Sequence, residues 1–201
     1  MARSKLLSAD FAVESVDDVF HIINSRQISA LMFHNEMANL FDFLTLKGFK
    51  RMHEYQFFCE NEEHRKTERY YLSRYGKLLP HEEIERVEVI PDDWMQYTRK
   101  DVSTSVRKQS VQTAFSQYWE WERDTKAIFE KLAAWLIMNG HVADFNMVNC
   151  LVCDVDCELK KLERLHLELK AVDYDATYIM EIQQCIHDKY KDKMKKYKYK
   201  E

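Results

Sequence analysis

The sequence is short of residues that break helices: its 201 residues include only three glycines and two prolines. Proline interrupts a helix because it lacks a backbone N–H, and glycine weakens one because of its conformational freedom. Hydrophobic residues make up 46% of the chain and charged residues 32%. This composition is typical of long amphipathic helices joined by few turns, so we predict an all-α fold.

Long apolar runs are also missing. The longest, residues 132–138, is far shorter than the roughly 18 residues that a membrane span needs, and the N-terminal stretch lacks the apolar core of a signal peptide. Five cysteines are an odd number without the density of a disulfide scaffold. We therefore predict a cytoplasmic protein without a membrane partner. Cys150, Cys153 and Cys157 share one helix side without a second Cys/His pair at zinc-site spacing, so we interpret them as half-buried packing residues.

The charge is nearly balanced, with 34 acidic and 30 basic residues and a net charge of -4. Because the two signs are well mixed, we expect no nucleic-acid-binding face. The lysine-rich segment 189–200 is interpreted as a solvated, fraying helix end, with contact to DNA or anionic lipid as the alternative.

Five helices are predicted. Ser15 and Asp18 form an N-cap signature at the start of the first helix, and Gly48, Gly76 and Gly140 mark helix ends. The predicted helices cover about 16–46, 49–75, from between 93 and 103 to 139, 142–172, and 175–196. We expect a single domain over 1–201, with a bundle at about 16–172 and a C-terminal helix at about 175–196.

The connection between the second and third helices decides the topology. Helices of about 27 residues are about 40 Å long, whereas the 18 residues of the loop 76–93 can reach about 60 Å. The loop can therefore run the length of the bundle and start the third helix parallel to the second. Two antiparallel hairpins joined by such a crossover are the arrangement of a ferritin-like four-helix bundle.

Three polar residues are predicted to face the shared core: His64 on the second helix, and Glu122 and Glu158 within the apolar stripes of the third and fourth. A carboxylate in an apolar stripe is costly unless something pairs with it, so the three residues predict a metal site. The stripe of the third helix is Phe115, Tyr118, Glu122, Thr125, Phe129, Leu132 and Leu136; that of the fourth is Leu151, Val155, Glu158, Leu162, Leu165, Leu169 and Val172.

From about residue 24 to residue 190 the chain resembles the ferritin family. The order and spacing of short motifs over four helices carry the resemblance. They are Phe41-Asp42 with Leu46-Lys47-Gly48-Phe49, Glu60-Asn61-Glu62-Glu63-His64, Pro91-Asp92-Asp93-Trp94, Glu122-Arg123 with Phe129-Glu130-Lys131-Leu132, and Glu158 with Lys160, Lys161, Leu162 and Leu165.

The resemblance implies a ferroxidase centre with two departures. The centre would fall on Gln27, Asn61, His64, Glu122 and Glu158, and the first two of these positions are glutamates in active members. Further site residues are His34, where the family has a tyrosine, and Glu68, one turn beyond His64; a helix-D histidine of bacterioferritin-like relatives would fall on Lys161. The chain is also longer between Trp94 and Glu122 than the family pattern, by roughly two heptads.

Three interpretations of the site remain open. It could hold a di-iron centre, one divalent metal ion, or no metal, with the same side chains in a buried hydrogen-bond network. The resemblance implies an iron-binding protein of the storage or ferroxidase type, with weak or lost di-iron oxidation, that forms a homo-oligomer. The alternative function is a non-catalytic bundle that acts through its surface or its assembly.

Overall fold

The computed structural model describes residues 11–79 and 98–197. Within these two ranges all regular structure is helical, as predicted. The helices are α1 (Val16–Phe43), α2 (Lys47–Tyr75), α3 (Thr104–Met138), α4 (Val142–Ala171) and α5 (Ala176–Lys193), with short 3₁₀ helices at Arg99–Asp101 and Met194–Tyr197. Most of the predicted crossover, including its Pro91–Trp94 motif, lies outside the described residues, and the single-domain organisation stays a prediction.

Local sequence signals set several helix ends. Ser15 and Asp18 form a reciprocal capping box at the start of α1: the Ser15 hydroxyl accepts from the Asp18 N–H at 3.2 Å, and the Asp18 carboxylate accepts from the Ser15 N–H at 2.8 Å. Gly76 and Gly140 have φ values of 65° and 79°, which a residue without a Cβ adopts easily, and they follow α2 and α3.

The prediction that Gly48 marks a helix end was wrong. This glycine lies in the first turn of α2, and the turn before it is made by Leu44–Leu46, with Thr45 at a φ of 61°. A Cβ on Gly48 would lie 1.7 Å from the carbonyl oxygen of Gln183 in α5. Gly48 is therefore required for the close approach of two helices rather than for a chain reversal.

Ring contacts establish the helix directions. Along α1, Phe20 packs on Tyr71 and Phe41 packs on Phe49, so α1 and α2 are antiparallel. Phe41 also packs on Phe115.

The third and fourth helices complete the bundle. Phe49 contacts Phe115, and seven residues further along α2, Gln56 contacts Tyr118, so α2 and α3 run in parallel. Gln56 also bonds to Glu158, whereas Tyr70 bonds to Asp144, so α4 is antiparallel to α2. The predicted arrangement of two antiparallel hairpins with parallel second and third helices is confirmed.

The C-terminal helix lies along the outside of α2 and runs parallel to it. The Gly48 N–H donates to the Gln183 side chain at 2.8 Å, and the rings of Tyr55 and Tyr190 are 5.2 Å apart. Beyond α5, the Tyr197 ring stacks on Phe58 at 4.8 Å. In the described part of the lysine-rich segment the tyrosines Tyr190 and Tyr197 therefore contact α2, while the lysines are exposed to solvent, as expected.

The core follows the predicted stripe of α3, with Phe115, Phe129, Leu132 and Leu136 almost fully buried. The predicted stripe of α4 is confirmed for Leu151, Val155, Leu162 and Leu169, which are buried, but not for Val172, which is exposed. The α4 cysteines do not belong to the core: Cys150, Cys153 and Cys157 are all exposed, so their interpretation as half-buried packing residues was wrong. None of the helices in the described ranges is long and apolar enough to cross a membrane.

Candidate functional site

A cavity of about 260 Å³ lies between α2, α3, α4 and α5, and five of its 13 lining residues are acidic. Residues three or four apart share one helix face, which explains how α2 and α4 each contribute two carboxylates. The α3 carboxylate, Glu122, is only 5% exposed. The charged residues of the lining are Glu60, Glu63, Glu122, Asp154, Glu158, Lys161 and Lys193.

The carboxylates raise one another's pKa values. Burial, and then the neighbouring Glu63, Glu122 and Glu158, raise the pKa of Glu60 well above its ordinary value. Burial and the nearby Asp154 raise the pKa of Glu63 to about 7. Burial raises the pKa of Glu122 to about 8, against an opposing effect of Arg26. Part of this cluster is therefore protonated at neutral pH, and a cation in the cavity would favour its ionised form.

Two cationic side chains already offset some of the negative charge. The Arg26 guanidinium lies 3.4 Å from the centre of the Trp121 ring and donates to Thr125 at 2.8 Å. The Lys161 ammonium lies 2.7 Å from one oxygen of Glu158. The other Glu158 oxygen accepts from Gln56 at 3.2 Å, so this half-exposed carboxylate is fixed on both sides.

A histidine pair lies on the core side of Glu122. His34 Nδ1 is 3.0 Å from His53 Nδ1, and His34 Nε2 is 4.0 Å from Glu122 Oε1. Burial lowers the pKa of His34 to about 3 and that of His53 well below its usual value. Since His34 is neutral and Glu122 largely protonated near pH 7, their contact is not an ion pair.

The structure brings together only some of the predicted site residues. Glu122 and Glu158 line the same cavity. His64 instead faces α1, with its Nε2 2.7 Å from Asn24 Oδ1 and 3.8 Å from Glu68 on its own helix. The half-buried Asn61 is likewise outside the cavity lining.

The remaining predicted residues lie on α1. Gln27 is 2% exposed, and neither polar atom of its side chain has a hydrogen-bond partner in the described part of the chain. His34 is fully buried beside Glu122, as described above.

Sequence reasoning missed Glu60 and Glu63. The motif pairing a glutamate with a histidine three residues later placed Asn61 and His64 in the site, one position further along α2. One residue corresponds to a rotation of about 100° around a helix axis. Gln56 lies four residues before Glu60 and lines the same cavity, but both side chains are polar, so the sequence alone does not mark this face of α2 as the inward one.

The donor set is suited to a hard or borderline divalent cation, because it consists mainly of carboxylate oxygens. As the side chains stand, no group of three or more His, Cys, Asp or Glu residues among those described is arranged to hold a metal ion. Binding would therefore require rotation of the glutamate side chains, which have room to move in a cavity of this size.

Comparisons with known proteins support the fold. No family model and no curated protein matches the chain. Two solved structures are similar. One is a humanized archaeal ferritin, with a TM-score of 0.72 and 16% sequence identity; the match covers 88% of this chain and 98% of that one. The other is a closed form of the Archaeoglobus fulgidus ferritin engineered by site-directed mutagenesis, with a TM-score of 0.70 and 18% sequence identity; the match covers 88% of this chain and 97% of that one. At these identities the likeness establishes a ferritin-like four-helix bundle with an additional C-terminal helix.

Proposed function

We propose that this protein is a ferritin-like iron-binding protein that takes up ferrous iron in the carboxylate cavity. One observation carries the proposal: Glu60, Glu63, Glu122 and Glu158, from three helices, line one cavity in a bundle of this fold. Such crowding of carboxylates destabilises a folded protein unless a cation offsets it, so its presence favours a binding role. Iron is the cation that the ferritin structures of the same fold suggest.

The local charges favour one iron ion over a di-iron centre. Two ferrous ions bring four positive charges, but Lys161 and Lys193 occupy part of the same lining. The α1 position that the resemblance assigns to a metal-binding glutamate is Gln27, whose neutral amide cannot bridge two ions as a carboxylate does. We therefore propose iron binding with slow oxidation, in which the glutamates hold the ion and release their protons when it binds.

Anaerobic calorimetric titration with ferrous iron tests the proposal. We expect the wild type to bind about one equivalent and the double variant Glu60→Gln/Glu122→Gln to lose measurable binding. Glu120→Gln is the matched control, because Glu120 is an exposed glutamate on the same helix as Glu122. Circular dichroism would verify that all three proteins are folded. Equal binding by the wild type and the double variant would contradict the assignment to this cavity.

A metal-free bundle that acts through its surface or its assembly is the competing function, and the ion pair between Lys161 and Glu158 favours it, since a built-in ammonium already offsets the charge of this carboxylate. Absence of binding by the wild type in the same titration would support this alternative.

We also propose that the chain forms a homo-oligomer. The bundle end at which α2 and α3 finish exposes apolar side chains, with Leu78 81%, Met138 83% and Val142 55% exposed. Light scattering coupled to size exclusion measures the mass directly; a mass equal to the 24.3 kDa of one chain would refute this.

A further inference from the structure

The side-chain nitrogen Nε2 of His34 is buried, and the contacts of the described residues do not explain its position. The His34 side chain is fully buried, and Nε2 has no hydrogen-bond partner within the described residues. Burying a ring nitrogen without a partner is unfavourable, and protein interiors rarely contain one without a functional reason. The nitrogen is directed at Glu122 but, at 4.0 Å from Oε1, is too distant for a hydrogen bond.

The opposite side of the same ring is firmly held. His34 Nδ1 lies 3.0 Å from Nδ1 of His53, so one of the two nitrogens donates a proton and the other accepts it. His53 is itself fixed by stacking on Phe41, with ring centroids 5.4 Å apart, and by the Tyr118 ring at 4.8 Å. When His34 Nδ1–H is the donor, Nε2 carries the lone pair that faces Glu122.

This arrangement is that of a metal-binding histidine, which commonly donates its second ring N–H to a partner that fixes its tautomer and orientation. Two bonds of about 2.0–2.1 Å from a divalent ion span the 4.0 Å between His34 Nε2 and Glu122 Oε1 only when the ion lies on the line between them, so at any other coordination angle Oε1 has to approach the ring. Rotation of the Glu122 side chain towards His34, of the kind that binding in the cavity already requires, brings both atoms within bonding distance of one ion without movement of α1 or α3.

We propose that His34, oriented by His53, is the nitrogen ligand of the cation that Glu122 binds. The inference deepens the proposed function and rests on it. It moves the nitrogen donor from His64 on α2, where the sequence motif placed it, to α1. Glu122 then connects the carboxylate cavity with the histidine pair, because it lines the cavity and also faces His34.

Electron spin-echo envelope modulation of the protein loaded with substoichiometric Mn²⁺ tests the proposal, since the method detects nitrogen bonded to the ion. We expect a bonded-nitrogen signal in the wild type, and its replacement by a ¹⁵N signal after ¹⁵N-histidine labelling. The variant His34→Gln should lose the signal and bind Mn²⁺ at least about tenfold more weakly. The matched control is His64→Gln, which removes another buried histidine and should keep both properties.

The outcomes separate the inference from the proposed function. Mn²⁺ bound without a nitrogen signal, or a signal that survives in His34→Gln and disappears in His64→Gln, would overturn the role of His34 and leave cavity binding intact. No Mn²⁺ binding by the wild type would overturn both. If His34→Gln does not fold, His34→Tyr keeps a ring in this packed position and removes the nitrogen.

Discussion

Replacing Glu122 by glutamine should stabilise the metal-free protein at alkaline pH and leave it nearly unchanged at acidic pH. The pKa of Glu122 is raised from an ordinary 4.5 to about 8, chiefly by burial. The folded protein therefore retains a proton that the unfolded chain releases between these values. Since the folded state binds more protons, the free energy of unfolding falls as pH rises through this window.

The size of the effect follows from the separation of the two pKa values. About 3.5 pH units at about 1.36 kcal/mol each give a cost of at most about 5 kcal/mol, absent below pH 4.5 and complete above pH 8. The Glu122→Gln variant does not incur this cost. The difference in unfolding free energy between variant and wild type should then grow by about 3–5 kcal/mol from pH 5 to pH 8.5.

Urea denaturation at several pH values, in the presence of chelator and at one protein concentration, measures these free energies. Comparison of the same two proteins across pH removes the constant effect of exchanging a carboxyl for an amide. The exposed Glu120→Gln serves as the control and should show no such trend. A difference between wild type and Glu122→Gln that stays constant from pH 5 to pH 8.5 would refute the argument that Glu122 is buried at an electrostatic cost.

Three further changes probe other parts of the structure. Gly48→Ala should lower the free energy of unfolding by about 1–3 kcal/mol, measured by urea denaturation, because its Cβ would overlap the Gln183 carbonyl oxygen at 1.7 Å; an unchanged value would mean that α5 does not pack this closely. Lys161→Gln should strengthen Mn²⁺ binding in calorimetric titration, because it frees Glu158 from an ion pair of 2.7 Å, and weaker binding would contradict the competition between ammonium and metal. Gln27→Glu should also strengthen Mn²⁺ binding and lower the melting temperature of the metal-free protein, because it adds a carboxylate at a position that is only 2% exposed. If neither effect is observed, Gln27 does not belong to the site.

The sequence predicts most of the fold because its signals there are physical and redundant. Apolar stripes define the inward faces of α3 and α4, the capping box at Ser15 starts α1, and Gly140 follows α3. The length of the crossover permits parallel second and third helices, and the contacts of Phe49 with Phe115 and of Gln56 with Tyr118 confirm that direction. The path of α5 could not be predicted in the same way, because nothing local identifies Gly48 as the contact point of a helix more than 100 residues away.

The rotation of α2 was harder to predict, for a reason that is visible in its sequence. Residues 60–64 are all polar, so no apolar side chain marks which of them faces inward. The packing of neighbouring helices decides it: Tyr190 of α5 lines the cavity beside Glu60 and Glu63, while Asn24 of α1 meets His64 on another side of α2. Where the local pattern is ambiguous, tertiary contacts therefore determine which face of α2 lines the cavity.

Glu122 and His34 lower the stability of the metal-free protein, and the same two residues are proposed to bind the cation. Glu122 is only 5% exposed in a stripe that would be more stable with an apolar or neutral side chain, and one ring nitrogen of His34 beside it has no hydrogen-bond partner in the described ranges. A bundle selected only as a scaffold could replace both at little cost. Their joint presence next to a cavity with four further carboxylates is expected if the interior binds a cation, because ligands that repel one another in the empty protein gain most when the ion binds. On this reasoning, the variants that raise the stability of the metal-free protein most should be the ones that bind metal least.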